Sequence, residues 1–144
     1  NIYNIMNVKN KYQKERITKR LNARGLVALT LSSLPEGTEI HNIIRQLTNL
    51  YYDELNNSHI IRKAVPFDKR NKRFRYSYKL AIELLRMGGE EILQFCTLHD
   101  ARVTSKIYNL AEKAKTRLTD EEAEYIVGLA KKLVAYEEHT SKNI

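Results

Sequence analysis

This sequence has few of the residues from which disulfides, metal sites and phosphate loops are built. Its one cysteine, Cys96, excludes an internal disulfide framework and fits a reducing compartment. Its four histidines are eighteen or more residues apart, which excludes zinc-finger ligand spacing. Its five glycines are scattered except for Gly88-Gly89, so it has no glycine-rich phosphate loop. We therefore expect no metal, no cofactor and no enzymatic activity.

Long apolar runs are also missing. No stretch approaches the eighteen or so apolar residues of a membrane helix, so we expect no membrane association and a cytoplasmic or nucleoid-associated protein. The remaining composition suits an ordinary globular domain, with 144 residues, 42% of them apolar and 29% charged. The apolar neighbours of Cys96 predict a buried structural thiol. The acidic pairs Asp53-Glu54 and Glu90-Glu91 are interpreted as solvated helix charges.

Positive charge is concentrated in two places. The stretch from Arg62 to Lys79 has eight Lys/Arg and one Asp, a net charge of +7, and Lys9–Arg24 has seven against one Glu, a net charge of +6. Because the whole chain carries +8, the rest must carry −5. A localised basic field with aromatic residues between the charges is typical of nucleic-acid-binding proteins.

Apolar spacing predicts a helical N-terminal half. A basic helix or arm is expected over Lys9–Ala23, ending at Arg24-Gly25. The apolar run Leu26–Leu34 predicts a buried helix that stops before Pro35, although periodicity alone leaves a strand open. Thr38 is a predicted N-cap for a helix that continues to Leu55.

The clearest local pattern is an alternation along Arg73–Leu80. Phe74, Tyr76 and Tyr78 alternate with basic or polar residues, which predicts a strand with an aromatic inner face and a basic outer face. With Ile60–Val65 as a first strand, the stretch Ile60–Leu80 is interpreted as a β-hairpin with a charged loop. If the aromatic residues were exposed instead, binding to single strands or RNA would be favoured.

The order of a helix at 26–34, a helix at 38–55 and a basic hairpin at 60–80 resembles a winged helix-turn-helix. That architecture has two short helices before its wing, yet no glycine or proline divides Thr38–Leu55. Either a turn lies near Leu47–Asn49, or the stretch forms one long helix.

The C-terminal part is predicted to be an antiparallel helical hairpin over residues 103–138. Thr119 and Glu122 have the spacing of a capping box at the start of its second helix, Asp120–Glu138. The fold class is therefore mainly α with a small β-hairpin. Its three regions are a basic arm (1–25), a winged-helix-like nucleic-acid-binding region (26–82) and a helical region (83–144) for dimerisation or partner docking.

These patterns predict a non-enzymatic protein that binds duplex DNA, with a homodimer through residues 103–138 as a further expectation. The alternatives are a small interaction module or inhibitor that docks an acidic protein surface, and a binder of RNA or single strands. The residues predicted to read base edges are Arg45, Gln46 and Asn49, because their side chains can hydrogen-bond to bases. Predicted phosphate contacts fall to Lys11, Lys14, Lys19, Arg20, Arg62, Lys63, Lys69, Arg70, Lys72, Arg73 and Arg75.

Overall fold

The computed structural model describes residues 21–68 and 74–133, which form six helices and three short strands. The chain is mainly helical with a small antiparallel sheet, as predicted. In order, the elements are α1 (Ala23–Leu31), β1 (Glu39–Ile40), α2 (Ile43–Asp53), α3 (His59–Ala64), α4 (Tyr78–Gly89), β2 (Leu93–Phe95), β3 (Ala101–Val103), α5 (Lys106–Lys115) and α6 (Asp120–Gly128).

Helix α1 lies at the centre of the core. Every residue from Leu26 to Leu31 is fully buried, and the helix packs against α3, α4, α5 and α6. The prediction of a buried helix in this run is therefore confirmed. Arg24-Gly25, where a break or bend was predicted, lies within the first turn of α1. The helix starts before this pair, at Ala23, because the Asn22 side chain caps it by accepting from Gly25 N at 2.8 Å. Of the predicted basic helix Lys9–Ala23, residues 9–20 lie outside the described residues.

The sheet has the strand order β1-β3-β2, and both pairings are antiparallel. Arg102 in the central strand pairs with Glu39 on one side and Gln94 on the other. Strand β1 displaces the predicted start of a helix at Thr38, because Thr38 O accepts from Val103 N at 2.9 Å and its backbone joins the sheet edge. Helix α2 begins only after Asn42, which takes the left-handed conformation with φ 53°.

The predicted β-hairpin over Ile60–Leu80 is wrong. Residues 59–64 form α3, and α4 begins at Tyr78. Two serines explain both starts: the Ser58 side chain accepts from Ile61 N, and the Ser77 side chain accepts from Leu80 N. Leu80, Leu84 and Met87 are all fully buried at helical spacing, so the apolar face of α4 outweighs the two-residue alternation that precedes it.

Helix α2 runs undivided from Ile43 to Asp53, so there is no turn near Leu47–Asn49. The next helix, α3, begins at His59, after the non-helical residues 54–58. Helix α2 packs against α4, and α4 packs against β2.

The C-terminal region contains α5 and α6, which both pack on α1. The capping box at the start of α6 is confirmed: Glu122 N donates to Thr119 Oγ1 at 3.2 Å, and Thr119 N donates to Glu122 Oε1 at 2.8 Å. Residues 130–133 are helical again, and the remainder of the predicted helix Asp120–Glu138 lies outside the described residues. In the described ranges, every helix is too short or too polar to cross a lipid bilayer.

Candidate nucleic-acid interface

The predicted phosphate-contacting residues fall into two groups. Arg62 and Lys63 are exposed in the last turn of α3, and Arg75 is exposed just before α4. The others lie outside the described residues: Lys11, Lys14, Lys19, Arg20, Lys69, Arg70, Lys72 and Arg73.

A backbone hydrogen bond joins the chain on the two sides of residues 69–75. Asp68 N donates to Tyr76 O at 3.1 Å, so the chain leaves and returns at nearly the same point. The seven residues between them, which we call the basic loop (69–75), contain five Lys/Arg and no acid. In the sequence, this basic stretch ends two residues before Ser77, the N-cap of α4.

Tyr52 on α2 contacts Arg75 and Phe67, which lie next to the Asp68–Tyr76 hydrogen bond in the sequence. The Arg75 guanidinium carbon lies 4.5 Å from the centre of the Tyr52 ring, which is a cation–π contact. Phe67 meets the same ring edge to face, with centroids 5.4 Å apart and planes at 75°. Arg75 Nη1 also lies 3.1 Å from Asp53 Oδ1. We call the group Tyr52, Asp53, Phe67 and Arg75 the Tyr52 clamp.

Beyond the clamp, three aromatic side chains point into solvent. Phe74 is 69% exposed, Tyr76 47% and Tyr78 68%. The sequence pattern placed these rings on the inner face of a strand, and that prediction is wrong because the segment enters a helix and belongs to no sheet. We call Phe74, Tyr76 and Tyr78 the aromatic segment.

The predicted base-reading residues lie on α2. Arg45 is exposed and Asn49 is half-buried, and their spacing places them on the same helix face as Tyr52. The Gln46 side chain is half-buried, and its amide nitrogen donates to His41 O. The structure thus brings Arg45 and Asn49 to the side of α2 that carries the Tyr52 clamp.

Helix α4 presents two exposed cations: Lys79, which the sequence pattern placed on the outer face of the predicted strand, and Arg86, which sequence reasoning did not assign to the site. Lys79 and Arg86, seven positions apart and therefore on one face, are exposed on either side of Ile82. The acids nearby, Glu83 and Glu90, are both bound by Arg24 of α1. Hydrogen bonding to Arg24 lowers the pKa of Glu90. The helical spacing of Leu80, Leu84 and Met87 was the sequence signal from which the buried face of α4, and hence its exposed face with Lys79 and Arg86, could have been predicted.

The turn between β2 and β3 is held against the start of α2. Asp100 Oδ1 accepts from Asn42 N at 2.9 Å and lies 2.8 Å from His41 Nδ1, while Ile43 N donates to His99 O at 2.9 Å. The backbone hydrogen bond from Asn42 is the main cause of a lowered pKa at Asp100. Leu98 at the tip of the turn is 86% exposed.

Two predictions about single residues are wrong. Cys96 is exposed rather than buried, because the turn carries it out of the apolar interior; partial desolvation, with a hydrogen bond to Glu39, raises the pKa of its thiol. Glu54 is buried rather than solvated. It ends α2 and binds Tyr125 and Lys132.

Within residues 21–68 and 74–133, no group of three or more His, Cys, Asp or Glu side chains is arranged to hold a metal ion. Comparison with protein-family models, with curated proteins and with solved structures found no match to this chain.

Proposed function

We propose that this protein is a non-enzymatic DNA-binding protein that engages duplex DNA as a winged-helix-like module. In this arrangement α4 enters the major groove, and the β2–β3 hairpin, not the stretch 60–80, is the wing. The observation that carries the proposal is the element order α1-β1-α2-α4-β2-β3 with the strand order β1-β3-β2. Helix α3 and the basic loop are then an insertion between the two helices of the helix-turn-helix.

Because a fold alone does not define a function, the exposed chemistry of α4 must also suit DNA. Lys79 and Arg86 offer donors to phosphates or guanine edges from one face of the helix. Arg24 compensates the negative charge of Glu83 and Glu90 beside them. The Ser77-capped N-terminus of α4 carries the positive end of the helix dipole and follows directly on the basic loop.

The predicted roles of the other cations fit around this core. Arg62, Lys63 and Arg75 would contact phosphates. The same role is proposed for the other cations predicted from sequence: Lys11, Lys14, Lys19, Arg20, Lys69, Arg70, Lys72 and Arg73. Arg45, Gln46 and Asn49 remain candidates for base contact if α2, rather than α4, lies in the groove. The two arrangements differ in which helix determines sequence preference.

The test is a fluorescence-anisotropy titration of duplex DNA at about 50 and about 200 mM salt. We expect tight binding at the lower concentration that weakens steeply at the higher one. Lys79→Ala and Arg86→Ala should weaken binding and relax sequence preference, while Arg45→Ala should weaken binding without changing preference. Lys113→Ala on α5 is the matched control and should bind as the wild type does.

The reverse result, in which Arg45→Ala alone relaxes sequence preference, would assign base readout to α2. Absence of binding to any duplex at the lower salt concentration would overturn the proposal. The concentrated positive charge would then be better explained by an acidic protein partner, docked or inhibited by this chain.

A further inference from the structure

We propose that the aromatic segment stacks unpaired bases, so that the preferred ligand is a duplex with an adjoining single strand. The duplex part of this ligand rests on the function proposed above, whereas the stacking part does not. Among the described residues, seven large apolar side chains are exposed, and Phe74, Tyr76 and Tyr78 are three of them within five positions. Such clustering is uncommon on a surface without a binding role.

The backbone on both sides of these rings is held in place. The Tyr52 clamp and the Asp68–Tyr76 hydrogen bond anchor the chain before and between them. Ser77, which is 2% exposed, then caps α4. The outward position of the rings is therefore set by the fold, which reduces the ordering entropy lost when a ligand binds.

The charges beside the rings select the ligand. Arg75 and Lys79 are exposed within the same segment. An apolar protein surface would have to desolvate Lys79 and the Arg75–Asp53 ion pair. A single-stranded nucleic acid satisfies both features, because its phosphates pair with the cations and its bases offer flat faces to the rings.

Paired bases cannot satisfy the rings in the same way, because in a duplex each face is already stacked on a neighbour. The bases that meet Phe74, Tyr76 and Tyr78 must therefore be unpaired. Since Tyr78 is the first residue of α4, the single strand would leave the duplex near the N-terminus of that helix. Unpaired DNA and unpaired RNA offer the same stacking chemistry, and the experiment separates them.

The experiment compares four labelled ligands: a blunt DNA duplex, the same duplex with a single-stranded tail of about eight nucleotides, and the tail alone as DNA or as RNA. We expect the tailed duplex to bind at least about tenfold more tightly than the blunt one, since each stacked base contributes about a tenfold factor or more. Phe74→Ala/Tyr76→Ala, which leaves the groove-entering helix α4 intact, should remove most of this gain and leave binding to the blunt duplex unchanged.

The matched control is Tyr76→Phe/Tyr78→Phe, which keeps the ring faces and removes the hydroxyl groups. It should retain the gain if stacking is responsible, and lose it if hydrogen bonding is. Photocrosslinking through a bromouracil in the tail should map to the aromatic segment in the wild type. Thermal melting checks that the alanine variant is folded, as expected for side chains that lie in solvent.

The two proposals fail in different ways. Equal affinity for blunt and tailed duplexes would overturn the stacking proposal and leave duplex binding intact. Binding to the tail but not to the blunt duplex would overturn the winged-helix proposal and support stacking. The affinities for the DNA tail and for the RNA tail then show whether the single-stranded ligand is DNA or RNA. Absence of binding to all four ligands would overturn both.

Discussion

At the scale of single residues, one buried polar pair holds α1 to α2. Thr30 Oγ1 donates to Leu26 O at 2.8 Å and lies 2.7 Å from Tyr51 Oη. Because the bond to Leu26 O uses the single threonine hydroxyl proton, we infer that the Tyr51 hydroxyl is the donor between the two side chains. Both residues are fully buried, and burial raises the pKa of Tyr51. Both hydroxyl groups therefore have a hydrogen-bond partner in the core.

This direction predicts unequal effects of two substitutions. Tyr51→Phe leaves Thr30 with its bond to Leu26 O and should cost about 1 kcal/mol of unfolding free energy. Thr30→Val leaves the Tyr51 hydroxyl buried with only a 3.4 Å contact to Leu26 O and should cost about 2 to 3 kcal/mol. Urea unfolding measures both, and Thr30→Val/Tyr51→Phe should recover part of the larger loss. Equal losses from the two single variants would contradict the assigned direction.

Glu54 is the buried acid that joins α2 to the C-terminal region. Its carboxylate accepts from the Tyr125 hydroxyl, from Asn57 Nδ2 at 3.1 Å and from Lys132 Nζ at 3.0 Å. The hydrogen bond from Tyr125 is the main cause of the lowered pKa of Glu54. Because the folded-state pKa lies below the unfolded one, this contribution to stability is complete above the unfolded value of about 4.3. It is lost as the pH falls through the lower, folded value.

Glu54→Gln should therefore destabilise the protein by about 1 to 3 kcal/mol at neutral pH, and by progressively less below about pH 4. Denaturant unfolding at neutral and acidic pH measures this convergence. Glu121→Gln, an exposed neighbour of the same region, is the control and should change stability little at either pH. A penalty for Glu54→Gln that is independent of pH would show that packing, rather than charge, is what the carboxylate provides.

At the scale of elements, Arg24 links α1 to the proposed recognition helix. It binds Glu83 within α4 and Glu90 just after it, and both acids lie beside the cations that would face DNA. Arg24→Gln should uncover this negative charge and weaken duplex binding by roughly fivefold at low salt, which corresponds to about 1 kcal/mol. Anisotropy titration measures the change. Arg24→Gln/Glu83→Gln/Glu90→Gln removes the uncovered charge and should restore affinity; a failure to restore it would place the role of Arg24 in packing.

The elements also show which parts of the fold the sequence could predict. Helix α1 and the start of α6 were predictable because their determinants are local, a buried apolar run and the Thr119–Glu122 capping box. The strands were not, because each has only two or three residues and Glu39 pairs with Arg102, sixty-three positions away. Strands this short carry too little alternation to be recognised.

The error at 60–80 has a different cause. Phe74, Tyr76, Tyr78 and Leu80 alternate as a strand would, but Leu80 also begins the helical series that continues to Met87. The Ser77 cap decides between the two, and a serine within a basic, aromatic segment gives little warning of it. Sequence therefore predicted the charge of the candidate site and its aromatic content. It could not predict which side of those rings would meet solvent, because that depends on the clamp supplied by α2.

At the scale of the whole molecule, α1 is the central helix against which other helices pack. Helices α4, α5 and α6 all pack on it, and the sheet joins through β2 against α4. The proposed interface is built where α2 packs against α4 and where Arg75 contacts Tyr52, while α5 and α6 pack on α1. The charge of the sequence is uneven: the stretches 62–79 and 9–24 carry +7 and +6, and the remainder of the chain carries −5.

The uneven charge predicts how affinity depends on salt. Replacing Lys69, Arg70, Lys72 and Arg73 with Gln should weaken binding to all DNA sequences alike. It should also reduce the slope of log affinity against log salt by about 0.9 for each phosphate contact removed. Neutral replacements at four cations of Lys9–Arg24 should act in the same way if that stretch also lies along the DNA. The slope from anisotropy at several salt concentrations is the measurement.

A matched comparison separates local contacts from net charge. Lys69→Gln/Arg70→Gln and Lys113→Gln/Lys131→Gln each remove two positive charges, but only the first pair belongs to the basic loop. At physiological salt the electrostatic effect of an exposed charge is screened beyond about 8 Å. Lysines farther than this from the DNA should therefore change the slope little. If both pairs flatten the slope equally, total charge rather than the basic loop drives association. If only the loop pair does, the loop between Asp68 and Tyr76 carries the phosphate contacts.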